Sequence, residues 1–153
     1  MVCEEDRILL GMKKRGFGSG RWNGFGGKVE VGESITQAAI REMKEEVNIV
    51  PITMFKIGIL EFAFQNDSTE LEVHIFKVTT YEGEPTESEE MCPQWFAWED
   101  VPFTQMWVDD EYWFPFLQRS ELFKGRFAFD CPATAERQSV IVTQELFAVG
   151  SLK

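Results

Sequence analysis

Apolar and polar positions change period several times along the chain, and each change predicts an element. Arg7–Met12 (RILLGM) is a compact apolar run rich in Ile and Leu and predicts a strand. The next stretch, KKRGFGSGRWNGFGGK from Lys13 to Lys28, is glycine-rich and basic and predicts a loop. After Gly32 the spacing becomes helical, with Ala39, Ile40, Met43 and Val47 on one broad arc. Ser34 followed by Gln37 resembles a capping box, Asn48 suits a left-handed helix end, and Pro51 blocks continuation. Met54–Phe64 and Leu71–Thr79 predict the two arms of a hairpin turning at Gln65–Ser68. Glu82–Glu90 predicts an acidic loop, and Gln94–Trp98 a short aromatic strand. Asp109–Arg119 predicts a helix that Pro115 kinks or ends. Leu122–Asp130 alternates as a strand, and one more is expected near Val140–Val142. Strands outnumber the helices scattered between them, which predicts a single α+β domain, residues 1–153, on a mixed sheet.

Composition narrows the function classes. The chain has 153 residues and a formal net charge of −11, with a pI near 4.6. So acidic a chain lacks the basic footprint for gripping nucleic acid through its phosphates. A phosphate ligand is better met through a metal ion that reverses the local field. Cys3, Cys92 and Cys131 are odd in number and widely spaced, which argues against a disulfide framework or a zinc site. No apolar run reaches membrane-spanning length, and the acidic start MVCEED does not resemble a signal or transit peptide. A cytoplasmic monomer with no membrane or nucleic-acid partner is the expectation.

The chemistry concentrates between Gly27 and Ile49. On a helix, Glu42, Glu45 and Glu46 stand at i, i+3 and i+4 and share one face. Three like charges there repel unless a cation joins them, and hard oxygen ligands suit Mg²⁺ or Mn²⁺. Such a triplet alone is more often a solvated acidic face. Its fixed distance behind Gly27 and Glu33, with Arg41 beside it, favours function. The glycine-rich loop lacks a Walker A ending and a correctly placed G-x-G-x-x-G. Its cations Lys13, Lys14, Arg15 and Arg21 would form a positive patch that attracts a polyphosphate. His74, the one histidine, reads as a strand residue.

The stretch from Gly27 to Ile49 resembles the box of the Nudix superfamily, G-x5-E-x7-R-E-U-x-E-E-x-G-U, with Asn48 in place of the last glycine. Asn tolerates the left-handed conformation which that glycine supplies. The resemblance implies an α/β/α sandwich with a loop–helix–loop metal site. It implies Glu42, Glu45 and Glu46 as metal ligands or general base, a metal-binding backbone carbonyl from Gly26, and Arg41 orienting a carboxylate. Beyond the box the chain is similar to the animal-type oxidised purine nucleoside triphosphate hydrolases. LLGMKKRGFG, RWNGFGGK, ESEEM, PF, MW, DD and YWFP carry that likeness, over roughly Arg7 to Phe129.

That branch implies a purine pocket with Trp107 as a stacking platform and Asn23 on one base edge. Asp109 and Asp110 would face the other edge, one of them protonated through mutual repulsion and burial. Phe17, Phe62, Phe64 and Met91 match pocket positions, Lys13 a substrate-binding one, and Glu90 a remote carboxylate of the metal site. The helix start is a competing explanation for the Asp pair, and packing for the aromatics. MVCEED does not match the full apolar strand that precedes RILLGM in the family, so the first strand is expected to be missing. The activity implied is Mg²⁺-dependent hydrolysis of 8-oxo-dGTP, 2-hydroxy-dATP and similar nucleotides to monophosphate and pyrophosphate, which sanitises the nucleotide pool. The rivals are a Nudix hydrolase of another nucleoside diphosphate derivative or dinucleoside polyphosphate, and a non-catalytic nucleotide-binding protein.

Overall fold

The computed structural model describes residues 1–153, which form two compact units. Unit 1 holds Met1–Phe55 and Phe76–Pro102; unit 2 holds Lys56–Ile75 and Phe103–Lys153. Eight strands and two helices follow one another: β1 (Val2–Cys3), β2 (Arg7–Lys13), β3 (Trp22–Asn23), α1 (Ile35–Val47), β4 (Val50–Phe64), β5 (Glu70–Glu82), β6 (Met91–Ala97), α2 (Asp110–Arg119), β7 (Phe123–Phe129) and β8 (Ile141–Ala148). Single 3₁₀ turns occupy Trp98–Asp100 and Phe103–Gln105.

In unit 1, β2 pairs antiparallel with β1, β3 and β6, and β1 pairs in parallel with β5. The expected loss of the first strand is therefore corrected. Val2 and Cys3 take a strand position, with Val2 opposite Leu9 on one side and Val78 on the other. Both are buried, and the Met1 carbonyl accepts from the Val78 N–H at 2.8 Å. Two apolar residues suffice because Glu4 turns back at once, its N–H donating to the Arg7 carbonyl at 2.8 Å.

Helix α1 is capped as its sequence predicts. The Ser34 hydroxyl accepts from the Gln37 N–H, the Gln37 amide reaches back to the Ser34 N–H, and Asn48 ends the helix with φ 61°. Met43 and Val47 bury themselves against Val2, Leu9, Ile49 and Val78. Ala38 is buried with them, while Ala39 and Ile40 from the expected apolar arc are only half-buried.

In unit 2, β7 pairs in parallel with β4 and antiparallel with β8, giving the mixed sheet of an α+β fold. Helix α2 packs through aromatic rings: Trp113 and Phe116 lie 5.9 and 5.4 Å from Phe123, and Tyr112 lies 6.3 Å from Phe127. Pro115 does not end α2, one of the two outcomes expected of it; the helix continues to Arg119. Pro115 removes one backbone donor, and the buried Trp113, Phe114 and Leu117 around it hold the helix.

Gly58 on β4 faces the fully buried Phe123, whose Cζ lies 2.2 Å from where a Cβ would stand. A methyl there must push the ring out of a close-packed core. Gly58→Ala is expected to lose about 1–3 kcal/mol of stability in urea denaturation. Wild-type stability in that variant would refute the close packing of Gly58 on Phe123.

Candidate active site

The candidate catalytic groups of the helix all belong to unit 1. Because Met43 and Val47 anchor α1, the neighbouring turn aims Glu42 and Glu46 at the glycine-rich loop. Glu46 is 2 % exposed, and its Oε1 accepts from the Gly26 N–H at 2.8 Å. Its Oε2 is buried without a partner. Burial pushes the Glu46 carboxyl up to about 7, reinforced by Glu42 and Glu90 and opposed by the Gly26 N–H and Lys13. Glu42 packs onto Gly27, where a Cβ would stand 2.4 Å from its Oε1. The glycine is needed for that approach.

Arg41 ties the carboxylates together. Its Nε and Nη2 donate to the two oxygens of Glu33 at 3.1 and 2.7 Å. Its Nη1 donates to Glu42 at 2.9 Å and Glu45 at 3.3 Å, and Nη2 also reaches the Lys28 carbonyl at 3.1 Å. Glu33, the first of these partners, holds the guanidinium pKa well above its ordinary value; in return Arg41 lowers Glu33. Glu33 was not among the expected site residues. Its position eight before Arg41 was the available signal.

Glu90 lies in the acidic loop between β5 and β6. With Glu45, Glu46, Arg15, Ser88 and Glu89 it lines a cleft of about 260 Å³. The positive patch expected in the glycine-rich stretch is corrected here. Lys13 pairs with Glu90 at 3.3 Å, Lys14 with Glu87 at 2.8 Å, and Arg15 with Glu89 and Glu90 at 3.5 and 3.6 Å. Arg21 is 8 % exposed. These cations are engaged with the acidic loop or buried, because β2 and β6 are hydrogen-bonded neighbours and bring the two charged segments together.

No three carboxylates converge on one point as they stand. The residues nonetheless fit a divalent cation. Glu46 offers an orphaned buried oxygen, Glu42 sits in a cradle only glycine permits, and Glu45 and Glu90 add hard oxygens at the cleft. Gly26 takes part through its N–H; the carbonyl role expected of it is a separate matter.

The expected base-recognition residues fall in both units. In unit 1, Met91 is buried against Gly11 at the start of β6, and Asn23 on β3 donates its amide to the Arg21 carbonyl at 2.9 Å. Phe17 is 68 % exposed, so a lining role requires a ligand to cover it. In unit 2, Phe62 and Phe64 are half-buried, with ring centroids 5.7 and 5.6 Å from Phe129. Trp107 is half-buried. Asp109 and Asp110 are 5 % and 6 % exposed. The helix start does not explain them fully: Asp109 is the N-cap residue, yet its side chain makes no capping bond and instead accepts from the Trp113 indole at 3.0 Å. Burial pushes Asp109 up to about 6, and burial with the neighbouring Asp109 charge raises Asp110 well above its ordinary range.

One buried carboxylate with further glutamates around it, on a capped helix beside a glycine-rich loop, presents hard oxygens of the kind that suit a divalent cation. A family model described as the NUDIX domain matches residues 1–117, and the chain belongs to this family of hydrolases. An oxidized purine nucleoside triphosphate hydrolase of Danio rerio is 49 % identical over 152 residues, covering 99 % of this chain and 94 % of that one. The Mus musculus protein of the same name is 50 % identical over 129 residues, 84 % of this chain and 83 % of that one. Among solved structures, a MutT protein of Bacillus halodurans superposes with a TM-score of 0.79 at 28 % identity, covering 95 % of this chain and 93 % of that one.

The raised acids have a measurable consequence. A carboxyl lifted by burial keeps its proton longer in the folded state. Its stability contribution is complete below the ordinary value of 3.8 and is lost as pH rises through about 6. Asp109→Asn keeps an oxygen for the Trp113 indole and removes the buried charge. At neutral pH it is expected to gain on the order of 1–3 kcal/mol over wild type, with the gap closing toward pH 4. Thermal unfolding across that range checks this; a gap independent of pH would refute the buried-acid account.

Proposed function

We propose that this chain is a Mg²⁺-dependent hydrolase of oxidised purine nucleoside triphosphates, 8-oxo-dGTP and 2-hydroxy-dATP among them. Its products are the nucleoside monophosphate and pyrophosphate, and its role is to cleanse the nucleotide pool before DNA synthesis. It works as a monomer in the cytoplasm. The observation that carries the hydrolytic reading is Glu46: a nearly buried carboxylate, one oxygen fixed by the Gly26 N–H and the other unpartnered, in the wall of a polar cleft. The half-identity to two oxidized purine nucleoside triphosphate hydrolases supports the substrate class.

Glu42, Glu45, Glu46 and Glu90 would hold the cation, with a backbone carbonyl from Gly26. When bound, a divalent cation polarises a phosphoryl oxygen and makes water more acidic. The chain's own residues do the rest. Water adds to an inner phosphorus, the bond to the bridging oxygen breaks, and pyrophosphate leaves. One of the helix glutamates takes the proton from water. Arg41 keeps Glu42 and Glu45 oriented through bonds of 2.9 and 3.3 Å, and is itself fixed by Glu33. Arg41 is thus a positioning residue. Lys13 would turn from Glu90 to a substrate phosphate.

Base recognition in unit 2 falls to Asp109, Asp110 and Trp107, with Phe62 and Phe64 as apolar lining; Asn23, Phe17 and Met91 of unit 1 are carried as base-recognition residues by the family resemblance alone. The Asp pair is suited to a purine edge because burial keeps a proton on it near neutrality. A protonated carboxyl donates and its neighbour accepts, which suits an edge carrying both kinds of group. The intact set Glu42, Glu45 and Glu46 weighs against a non-catalytic binding protein.

Glu46→Gln keeps the volume and the acceptor for Gly26 but removes the charge. It is expected to lower turnover by roughly 10²–10⁴-fold without lowering the unfolding midpoint. Wild-type rates in that variant, measured with Mg²⁺ and 8-oxo-dGTP, would refute the metal-site assignment. Asp109→Ala and Asp110→Ala should each weaken the preference for 8-oxo-dGTP over dGTP while leaving the Mg²⁺ dependence as it is. If both variants keep the preference, the base-reading role of the pair is wrong.

A further inference from the structure

The connection between β7 and β8 is long for a hairpin. β7 ends at Phe129 and β8 begins at Ile141, where hairpin loops usually take about 2–5 residues. It has no regular secondary structure, yet it is closely bonded. Asp130 is its hub: Oδ1 accepts from the N–H groups of Cys131 and Val140, both at 2.8 Å, and Oδ2 from the Arg137 guanidinium. These bonds, led by the Val140 N–H, hold the Asp130 carboxyl down to about 2. The Asp130 N–H donates to the Val140 carbonyl at 3.0 Å, which closes the base of the loop. At its tip the Thr134 hydroxyl accepts from the Arg137 N–H at 3.1 Å, and the Thr134 N–H donates to the Arg137 carbonyl at 2.8 Å. The Ser139 hydroxyl bonds the Cys131 carbonyl at 2.7 Å, and Ala133 and Ser139 are buried.

A side-chain bond joins this strap to another segment of unit 2. The Gln138 Nε2 donates to the Met106 carbonyl at 3.0 Å. Met106 is 1 % exposed and lies between the 3₁₀ turn Phe103–Gln105 and the start of α2. Trp107, Asp109 and Asp110 follow directly. A buried carbonyl in such an irregular junction needs a donor, and its bond fixes the junction's path. We infer that the strap, through Gln138, is a positioning device for the segment Met106–Asp110 and thereby tunes purine discrimination. The second half of that statement rests on the base-reading role proposed above for Trp107 and the Asp pair; the first half does not.

Asp130 and Arg137 act behind Gln138 by holding the strap's shape. Gln138 touches neither substrate nor metal in this scheme, so its influence should appear in selectivity rather than in the chemical step. An ionised glutamate at this position has nearly the same shape but donates nothing and repels the carbonyl. A lysine again presents a donor.

The test is Gln138→Glu, with Gln138→Lys as the rescue variant. Hydrogen exchange is read first, without substrate, at the amides of Met106, Asp110 and Tyr112, which donate to Phe103, Trp107 and Asp109. Gln138→Glu should speed these amides by about 5–10-fold and leave α1 unchanged; Gln138→Lys should restore them. With substrate, the KM for 8-oxo-dGTP should rise by a similar factor, with kcat on dGTP unchanged. Unaltered exchange in Gln138→Glu would overturn the strap's positioning role. Altered exchange with an equal loss of kcat on both nucleotides would overturn its role in selectivity. If the wild type itself shows no preference for the oxidised base, the substrate proposal fails, and the exchange data alone still decide whether the strap positions the segment.

Discussion

The candidate site rests on keeping one carboxylate, Glu46, inside the protein. Such a group is costly to bury charged and is tolerated only where something receives its oxygens. Here the Gly26 N–H receives one and leaves the other unmet. The geometry has two sources. Met43 and Val47 press α1 onto the core of unit 1, and the Ser34 and Asn48 caps fix its length. The glycine-rich loop can then approach, because a side chain on Gly27 would collide with Glu42. Apolar packing thus sets a polar site and leaves one buried oxygen of Glu46 without a protein partner.

Charge is arranged around that oxygen in a way the net value conceals. A chain of net charge −11 places Glu42, Glu45 and Glu46 on one helix face, and Arg41 offsets them by bonding two of the three. Glu33 in turn secures Arg41 through both its oxygens. Lys13, Lys14 and Arg15 are paired with the acidic loop. A polyphosphate approaching this cleft therefore meets cations already engaged with Glu87, Glu89 and Glu90. Under the proposed function, that would increase the dependence of phosphate binding on a metal, because a divalent ion is the strongest positive charge the site could acquire.

Local patterns were legible in the sequence, and long-range pairings were not. The capping box at Ser34 and Gln37, the left-handed end at Asn48 and the glutamate spacing on α1 are all decided within a few residues. The structure places them as their sequence implies. The short strands failed for lack of length: Val2–Cys3 and Trp22–Asn23 carry no period of their own and exist because β2 offers them partners. The engagement of Lys13–Arg15 with Glu87–Glu90 depends on the β2–β6 register, which no local pattern reveals. Pro115 does not end α2 because its penalty is local, whereas the aromatic packing that retains the helix is tertiary. Gln138 was silent for the same reason. Its meaning lies in a carbonyl 32 residues away.

Both sets of buried acids are raised by the same cause, desolvation, in different surroundings. Glu46 stands in a cleft with Glu45, Glu90 and Arg15, and its free oxygen is available to a cation. Metal binding would favour its charged form and reverse the shift that burial imposes. Asp109 is the N-cap residue of α2 and Asp110 begins it among aromatic rings, where the Trp113 indole donates to Asp109 and the Asp109 charge disfavours ionisation of Asp110. Burial outweighs the hydrogen bonds that favour ionisation, so both carboxyls are raised above their ordinary range. A hydrolase that must activate water at one place and recognise a base edge at another needs an acid of each kind. Under the proposed function, Glu46 in its cleft and the Asp109–Asp110 pair among aromatic rings would supply one each.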